Sequence, residues 1–202
     1  LGRYRLKFGM GLVINNDYSF GKLATLQTLG RSTNSIREHS SRSEANYMQG
    51  TAATVSISKG LDITGFISYR DIDATPNKDS LSTIATITGN GYHRTVSEMA
   101  RKHNTSIFAG GGNIRYFNNG FHIGMSAIYS SLNRELRPDT ARIYKRWSAY
   151  GKRFWNAGVD YGYICGKFSF NGETATGDSH AVATINSLSY KLLGNLQIIA
   201  LQ

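Results

Sequence analysis

Hydrophobic and polar side chains alternate with a period of two along most of this chain. In residues 1–14 one parity holds Tyr4, Leu6, Phe8, Met10, Leu12 and Ile14, and the other holds Arg3, Arg5, Lys7, Gly9 and Gly11. A period of two is typical of a β-strand with one apolar and one polar face. The pattern therefore predicts a first strand over residues 1–14.

The same alternation predicts four hairpins further along the chain. Their strands cover residues 51–58 and 61–70, 108–116 and 121–129, 155–163 and 168–173, and 181–192 and 196–202. Short turns containing glycine join the two strands of each hairpin, at 59–60, 118–120, 165–166 and 194–195. With the first strand, the prediction is nine strands.

The connections between these strands alternate between short turns and longer loops. The longer set covers residues 15–50, 71–104, 134–153 and 177–180. Because antiparallel strands reverse at each connection, strict alternation places all short turns at one end of the sheet and all long loops at the other. The predicted fold class is all-β, an antiparallel up-and-down meander.

Two environments are compatible with such a meander. A soluble sandwich buries its apolar face under a second sheet and leaves residues such as Arg3, Arg5 and Lys7 solvated, but it rarely joins hairpins through loops this long. A transmembrane barrel needs strands of about 9–11 residues with apolar side chains toward lipid and aromatic residues at both strand ends. Aromatic residues flank the predicted turns and loops, among them Tyr116, Phe121, Tyr129 and Trp155. We expect part of a transmembrane β-barrel.

Composition narrows the picture further. The net charge is +10 although only 18% of the residues are charged, so the basicity reflects a shortage of acids. Cys165 is the single cysteine, which excludes an internal disulfide and a cysteine-based zinc site. No run approaches the ~20 apolar residues of a spanning helix, so a membrane role has to use strands. Since the chain opens inside a patterned strand and stops within another, we expect a fragment of a larger barrel.

Several segments carry a resemblance to a known family. The stretches R-Y-R-L-K-F-G-M-G-L-V-I, S-F-G-K-L-A-T-L-Q-T-L-G-R-S-T-N-S-I-R, N-I-R-Y-F-N-N-G-F-H-I-G and S-F-N-G-E-T-A-T-G resemble the β-barrel region of Gram-negative outer-membrane proteins labelled helix-hairpin-helix domain proteins. In that family the label comes from a segment upstream of the barrel, related to competence-type DNA-binding modules, and these residues do not include it. The resemblance implies an outer-membrane location for residues 1–202 as a single region. It assigns no nucleic-acid or catalytic role to any residue.

The polar parity of the strands defines the expected lumen. The candidates are Arg3, Arg5, Lys7, Asp62, Arg70, Asn113, Arg115, His122, Asp160, Lys167 and Glu173. The expected function is a pore, a transport pathway or an anchoring platform with a basic lumen, in contact with outer-membrane lipid and with the rest of its own barrel.

The first long connection bears on that lumen. Leu23, Leu26 and Leu29 recur every third residue, which permits a short helix ending at Gly30. Arg31, Arg37 and Arg42 follow it. If this connection folds inward, these arginines join the basic interior and give an anion-preferring pathway.

The loop at 134–153 supports the alternative function of a surface binding protein. Its candidate residues are Arg137, Arg142, Lys145, Arg146, Trp147, Lys152 and Arg153. Cations beside stacking aromatic rings fit single-stranded nucleic acid, and the same cations fit the phosphates of lipopolysaccharide at the outer rim. Both partners stay open, as does an anionic solute.

Catalytic and metal motifs are weak throughout. Gly110 to Gly112 lie inside a period-two segment without a following helix start, which indicates strand packing and not a phosphate loop. The five histidines are scattered. Asp178, Ser179 and His180 are contiguous, which argues against a triad because adjacent side chains seldom converge on one atom. An outer-membrane enzyme is the least favoured functional hypothesis, and we expect no enzyme activity, no metal and no cofactor.

Overall fold

In the described part of the chain, eleven strands form one predominantly antiparallel sheet. The computed structural model describes residues 1–16, 29–40, 46–78, 80–89, 91–140, 143–194 and 196–202. The strands are β1 (Gly2–Lys7), β2 (Ser35–Glu38), β3 (Met48–Ser58), β4 (Leu61–Asn77), β5 (Ser80–Thr88), β6 (Thr105–Asn118), β7 (Phe121–Leu136), β8 (Gly151–Cys165), β9 (Phe168–Gly177), β10 (Val182–Leu193) and β11 (Leu196–Leu201). A helix α1 (Val96–Met99) and a 3-10 turn (Ile143–Lys145) complete the elements.

The main body of the sheet is a meander. β3 pairs with β4, β4 pairs with β6, and each strand from β6 to β10 pairs with the strand that follows it, all in antiparallel fashion. The short β5 pairs with the far end of β4 and, in parallel, with the far end of β7. At the other edge β1 pairs with the start of β3 and with β2. The all-β meander is confirmed; β2 and β5 lie in segments that were predicted as loops.

The short turns lie side by side at one end of the sheet, here called the short-turn end. Backbone N–H groups of Phe117, Ile164 and Lys191 donate to the turn carbonyls of Gly60, Gly120 and Lys167, at 2.7, 2.9 and 2.9 Å. The far ends of β4, β7 and β9 lie at the opposite end, here called the loop end. The described strand order is linear, running from β11 to β2, with no pairing between these two edges.

The first strand is shorter than its side-chain pattern predicts and faces the other way. Gly9 and Gly11 adopt φ values of +60° and +99°, which end the strand and turn the chain across one face of the sheet. Tyr4, Leu6 and Phe8 pack on that face against Phe66 of β4. We call this covered side the inner face.

The expectation that the even-numbered residues of the first strand face lipid is therefore wrong. Arg3, Arg5 and Lys7 alternate with them and lie on the side of β1 turned away from this apolar cluster. Alternation separates the two faces of a strand, but the neighbouring layer decides which face is covered.

The two faces of the meander have inverted polarity near the short-turn end. Buried on the inner face are Thr64, Ser68, Asn113, His122, Ser126, Asp160, Asn171, Glu173 and Ser187. Exposed on the outer face are Ile63, Ile67, Tyr69, Ile114, Tyr116, Phe121, Ile123, Met125, Tyr129, Tyr163, Phe170, Leu188 and Ile198. Met125 is 60% exposed and its neighbour Ser126 only 2%. A protein surrounded by water shows the opposite arrangement.

This inversion ends at one level of the sheet, marked by Tyr69, Phe108, Tyr129 and Trp155. Beyond these aromatic residues the outer face turns polar, with Asp71, Ser106, Ser131, Asn133 and Arg153. The inner face becomes apolar at the same level, where Ile72, Ala74, Ile84 and Leu132 form a buried core. Since four adjacent strands switch together, the boundary belongs to the sheet as a whole.

Thr174, Thr184 and Asn186 interrupt the apolar outer face, and hydrogen bonds join them to neighbours. The Tyr161 hydroxyl donates to Asn186 Oδ1 at 3.0 Å, and the hydroxyls of Thr174 and Thr184 lie 3.3 Å apart.

In the described part of the chain no helix is long and apolar enough to cross a bilayer.

Candidate functional site

Four charged side chains form a row across the inner face, here called the charged row. Register aligns Asp62 of β4, Arg115 of β6, Asp160 of β8 and Glu173 of β9, with Gly124 of β7 in the middle. Asp160 and Glu173 are each 2% exposed. Charged groups this deeply buried need partners to offset their lost hydration. Their partners define the site.

Small residues make room for this row. A Cβ atom added at Gly124 would collide with the Asp160 carboxylate, and one at Gly162 would collide with the His122 ring. The missing side chains let Asp160 and His122 lie across the neighbouring strands. His122 Nε2 is 3.7 Å from Asp160 Oδ2, too long for a hydrogen bond but within ion-pair range when the ring is protonated.

Glu173 binds the backbone of residues 8–16, which we call the crossing segment. The N–H groups of Met10, Gly11 and Leu12 donate to Glu173 Oε2 at 2.7, 2.8 and 3.1 Å. The Val13 N–H donates to Oε1 at 3.1 Å. Four successive amides around one carboxylate form an anion cradle, and hydrogen bonds to a charged acceptor are stronger than neutral ones. Glu173 therefore anchors the crossing segment to the sheet wall.

Residues 29–34, the return segment, lie beside the crossing segment on the same face. Thr33 N–H donates to the Gly9 carbonyl at 2.8 Å, and Gly9 N–H donates to Asn34 Oδ1 at 3.0 Å. Asn34 also donates to Asn113 Oδ1 in β6. The Ser32 hydroxyl lies 3.4 Å from Asp160 Oδ2. The two segments thus cover the inner face from β4 to β9 and are tied to it at several points.

The buried polar groups are not all satisfied. Arg115 Nε, His122 Nε2 and Asp160 Oδ1 are buried without a hydrogen-bond partner in the described protein. Such atoms are rare in folded proteins and mark sites where polarity is retained for a reason other than packing. They lie within the charged row or directly beside it.

The comparisons with known proteins give no relative. No protein-family model, curated protein or solved structure matches this chain. The site therefore has to be interpreted from its own geometry, in which polar side chains of the inner face are buried beneath the crossing and return segments.

The structure brings together part of the predicted lumen set. Asn113, Arg115, His122, Asp160 and Glu173 lie on the inner face within the site. The buried acids outnumber the one arginine beside them, so this level of the inner face is not uniformly basic.

The other predicted lumen residues lie at the periphery. Asp62 accepts a hydrogen bond from Ser56 at the short-turn end. Arg70 and Arg3 both stack on the Tyr47 ring near the loop end, at 4.3 and 4.9 Å. Lys167 is in a short turn.

The predicted basic interior is only partly described. Arg37 lies opposite Arg5 across β1 and β2. Arg31 lies in the return segment, away from that pair. Arg42 and the predicted helix at Leu23 and Leu26 lie outside the described residues.

The loop-end residues predicted to bind anions occupy different settings where the structure describes them. The Arg137 backbone is fixed to the sheet, since its N–H donates to the Ile84 carbonyl at 2.7 Å. Trp147, 91% exposed, lines a cavity of about 630 Å³ with Tyr150 and Asp178, and none of the described residues that line it is a cation. Lys145 ends the 3-10 turn. Arg146, Lys152 and Arg153 are exposed, and Arg142 lies outside the described residues.

A second polar cluster at the loop end joins two histidines that the sequence left unassigned. His93 Nε2 lies 2.6 Å from Asp73 Oδ2, and the His103 N–H donates to Asp73 Oδ1 at 2.9 Å. Burial raises the pKa of Asp73, but these hydrogen bonds outweigh burial and lower it overall. The cluster fixes the connection at residues 91–104. Among the described residues no group of His, Cys, Asp or Glu is arranged to hold a metal ion.

The contiguous Asp178, Ser179 and His180 form part of a turn. Asp178 Oδ2 accepts from the Trp155 N–H at 2.8 Å, and the His180 N–H donates to the Gly177 carbonyl at 2.8 Å. These contacts join the first part of β8 to the turn after β9, which is a structural role for the aspartate.

Proposed function

We propose that this chain is part of the wall of a bacterial outer-membrane β-barrel whose lumen side is covered by its own crossing and return segments. The observation that carries the proposal is the inverted polarity of the sheet, with apolar side chains exposed outside and polar ones buried inside. Hydrocarbon is the solvent that makes such an outer face favourable. The simultaneous switch to ordinary polarity beyond the aromatic residues fits the edge of that hydrocarbon.

The dimensions fit the same proposal. Phe121 begins β7, and Tyr129 lies eight residues further along on the same outer face, at the level where that face turns polar. At about 3.3 Å per residue they are roughly 26 Å apart along the strand, or about 20 Å at a tilt of ~40°. A transmembrane barrel has an apolar band ~25 Å tall between two aromatic girdles.

The outer rim favours contact with lipopolysaccharide. Arg153 lies on the outer face two residues beyond Trp155, with Lys152 beside it, and both are exposed. Cations immediately outside an aromatic girdle are placed to pair with headgroup phosphates. The same location is consistent with the resemblance to the barrel region of helix-hairpin-helix-labelled proteins.

The role of the barrel follows from its inner face. The crossing and return segments cover that face from β4 to β9, and Glu173 holds the crossing segment through four amides. We infer a pathway that opens only when these segments are released, or a closed anchoring platform if they never are. The proposal assigns no catalytic step.

Membrane fractionation of the full-length protein, with gel mobility before and after heating, tests the location. We expect the protein in the outer-membrane fraction and a heat-modifiable band. Full solubility without detergent would contradict the proposal.

One observation favours a second function, surface binding through the loop end. Ile143, Tyr144 and Trp147 are exposed together there. Salt-dependent binding of single-stranded DNA by the reconstituted protein, lost in Trp147→Ala and kept in Trp155→Phe, would favour this function.

A further inference from the structure

Three cations from distant parts of the chain meet at the short-turn end of the inner face. Arg31 of the return segment, Lys167 of the turn before β9 and Lys191 near the end of β10 line one cavity of about 540 Å³. This volume falls within the ~300–1,000 Å³ typical of small-molecule sites. Among the described residues that line the cavity, none is acidic.

The scaffold holds the backbone of all three cations in place. The Lys191 N–H donates to the Lys167 carbonyl at 2.9 Å, which joins the two backbones. The carbonyl of Gly30 accepts from Asn171 Nδ2 at 2.9 Å and from Ser187 Oγ at 2.6 Å. Because Gly30 is fixed by two inner-face side chains, the next residue, Arg31, is held at the cavity.

The lining has two chemical halves. The cations stand beside hydroxyl and amide groups such as Ser189 and Asn171, while Leu29, Ile164 and Leu196 supply an apolar side. Gathered cations without an acid produce a positive potential that attracts anions. The apolar side favours a ligand with a short hydrocarbon part over a bare inorganic ion.

We propose that this cavity binds an organic phosphate ester, with the phosphoryl group on Arg31, Lys167 and Lys191 and the organic part on the apolar side. The phosphate has two possible sources, a soluble ester entering from the aqueous space at the short turns or the headgroup of an anionic phospholipid. The shared chemistry is a phosphate ester with an alkyl chain.

The test is calorimetric titration of the detergent-solubilised full-length protein with hexyl phosphate, alongside hexanol as the uncharged analogue. Anionic lipid is tested separately, by mass spectrometry of protein extracted from vesicles containing phosphatidylglycerol. Lys191→Gln and Arg31→Gln remove one charge-assisted contact each, and we expect at least about tenfold weaker binding in each. Lys59→Gln, which removes a cation at a neighbouring short turn, is the matched control and should bind like the parent.

Each outcome is decisive. Hexyl phosphate binding that Lys191→Gln weakens, with no binding of hexanol, supports the site with a soluble ligand. Retained phosphatidylglycerol that Lys191→Gln releases, without hexyl phosphate binding, supports the site with a lipid ligand. Binding of neither, or equal weakening by Lys59→Gln, overturns the proposal. Heat-modifiable mobility of each variant confirms that the sheet has formed.

Discussion

Replacing Glu173 by glutamine tests how the crossing segment is held. The substitution keeps the shape of the side chain, but one carboxylate oxygen becomes an NH₂ group that donates and cannot accept. The least harmful orientation keeps an oxygen at the position of Oε2, which serves Met10, Gly11 and Leu12. The N–H of Val13 then faces another donor.

The magnitude follows from these four contacts. An unpaired buried N–H costs about 1–3 kcal/mol, and each remaining bond weakens by roughly 1 kcal/mol when its acceptor loses its charge. Because water can partly replace the lost acceptor once the segment lifts, we expect the crossing segment to open more easily by roughly 2–5 kcal/mol. A change of 1.4 kcal/mol is tenfold in an equilibrium constant, so the populated open state rises by more than tenfold.

Hydrogen exchange of the amides of residues 10–13 in the reconstituted protein measures this opening, and planar-bilayer recording measures its effect on conductance. Glu173→Gln should exchange at least about tenfold faster and conduct more often than the parent. Asp62→Asn is the control, because Asp62 belongs to the charged row but bonds to Ser56 and not to the crossing segment. Unchanged exchange in Glu173→Gln would refute the anchoring role of this carboxylate.

Three further predictions follow from the same structure. Met125 lies on the outer face between the aromatic girdles, and Met125→Arg should destabilise the barrel by roughly 2–4 kcal/mol. Asn133→Arg, on the same face but beyond the boundary, should have little effect. Denaturant unfolding in lipid measures both. Leu6→Ala should destabilise the packing on the inner face by about 2–5 kcal/mol, and unchanged stability in the same assay would contradict that packing. The pKa of Asp73 is lower in the folded protein than in the unfolded chain, where it is about 3.9. The stability that Asp73 contributes to the fold is therefore fully present above the unfolded pKa and is lost as the pH falls through the folded pKa. Exchange of the His103 amide should therefore accelerate in acid in the parent but be pH-insensitive, after correction for intrinsic rates, in Asp73→Asn.

Side-chain periodicity is sufficient to predict the hairpins and the two faces of the meander. In β7, for example, the alternation from Phe121 to Tyr129 separates apolar from polar positions as the structure has them. Such an element is recognisable because every second residue meets the same environment along its length.

Other features depend on contacts that alternation does not encode. The facing of β1 depends on Phe66 of a distant strand. The edge strand β2 depends on its pairing with β1, and β5 on its pairing with the far ends of β4 and β7. The cradle around Glu173 uses backbone amides, which every residue but proline possesses, so no side-chain pattern identifies it. Gly9 and Gly11, two glycines in an otherwise regular strand, are the signal that could have indicated a turn there.

The position of the hydrocarbon boundary on the outer face tests the central claim most directly. Spin labels placed singly at positions 125 and 133, in a background with Cys165→Ser, report collision with oxygen, which enriches in lipid, or with a water-soluble nickel chelate. In the full-length protein in bilayers, the label replacing Met125 should collide mainly with oxygen and the label replacing Asn133 mainly with the chelate. Equal access of the chelate to both positions would contradict a membrane-embedded wall.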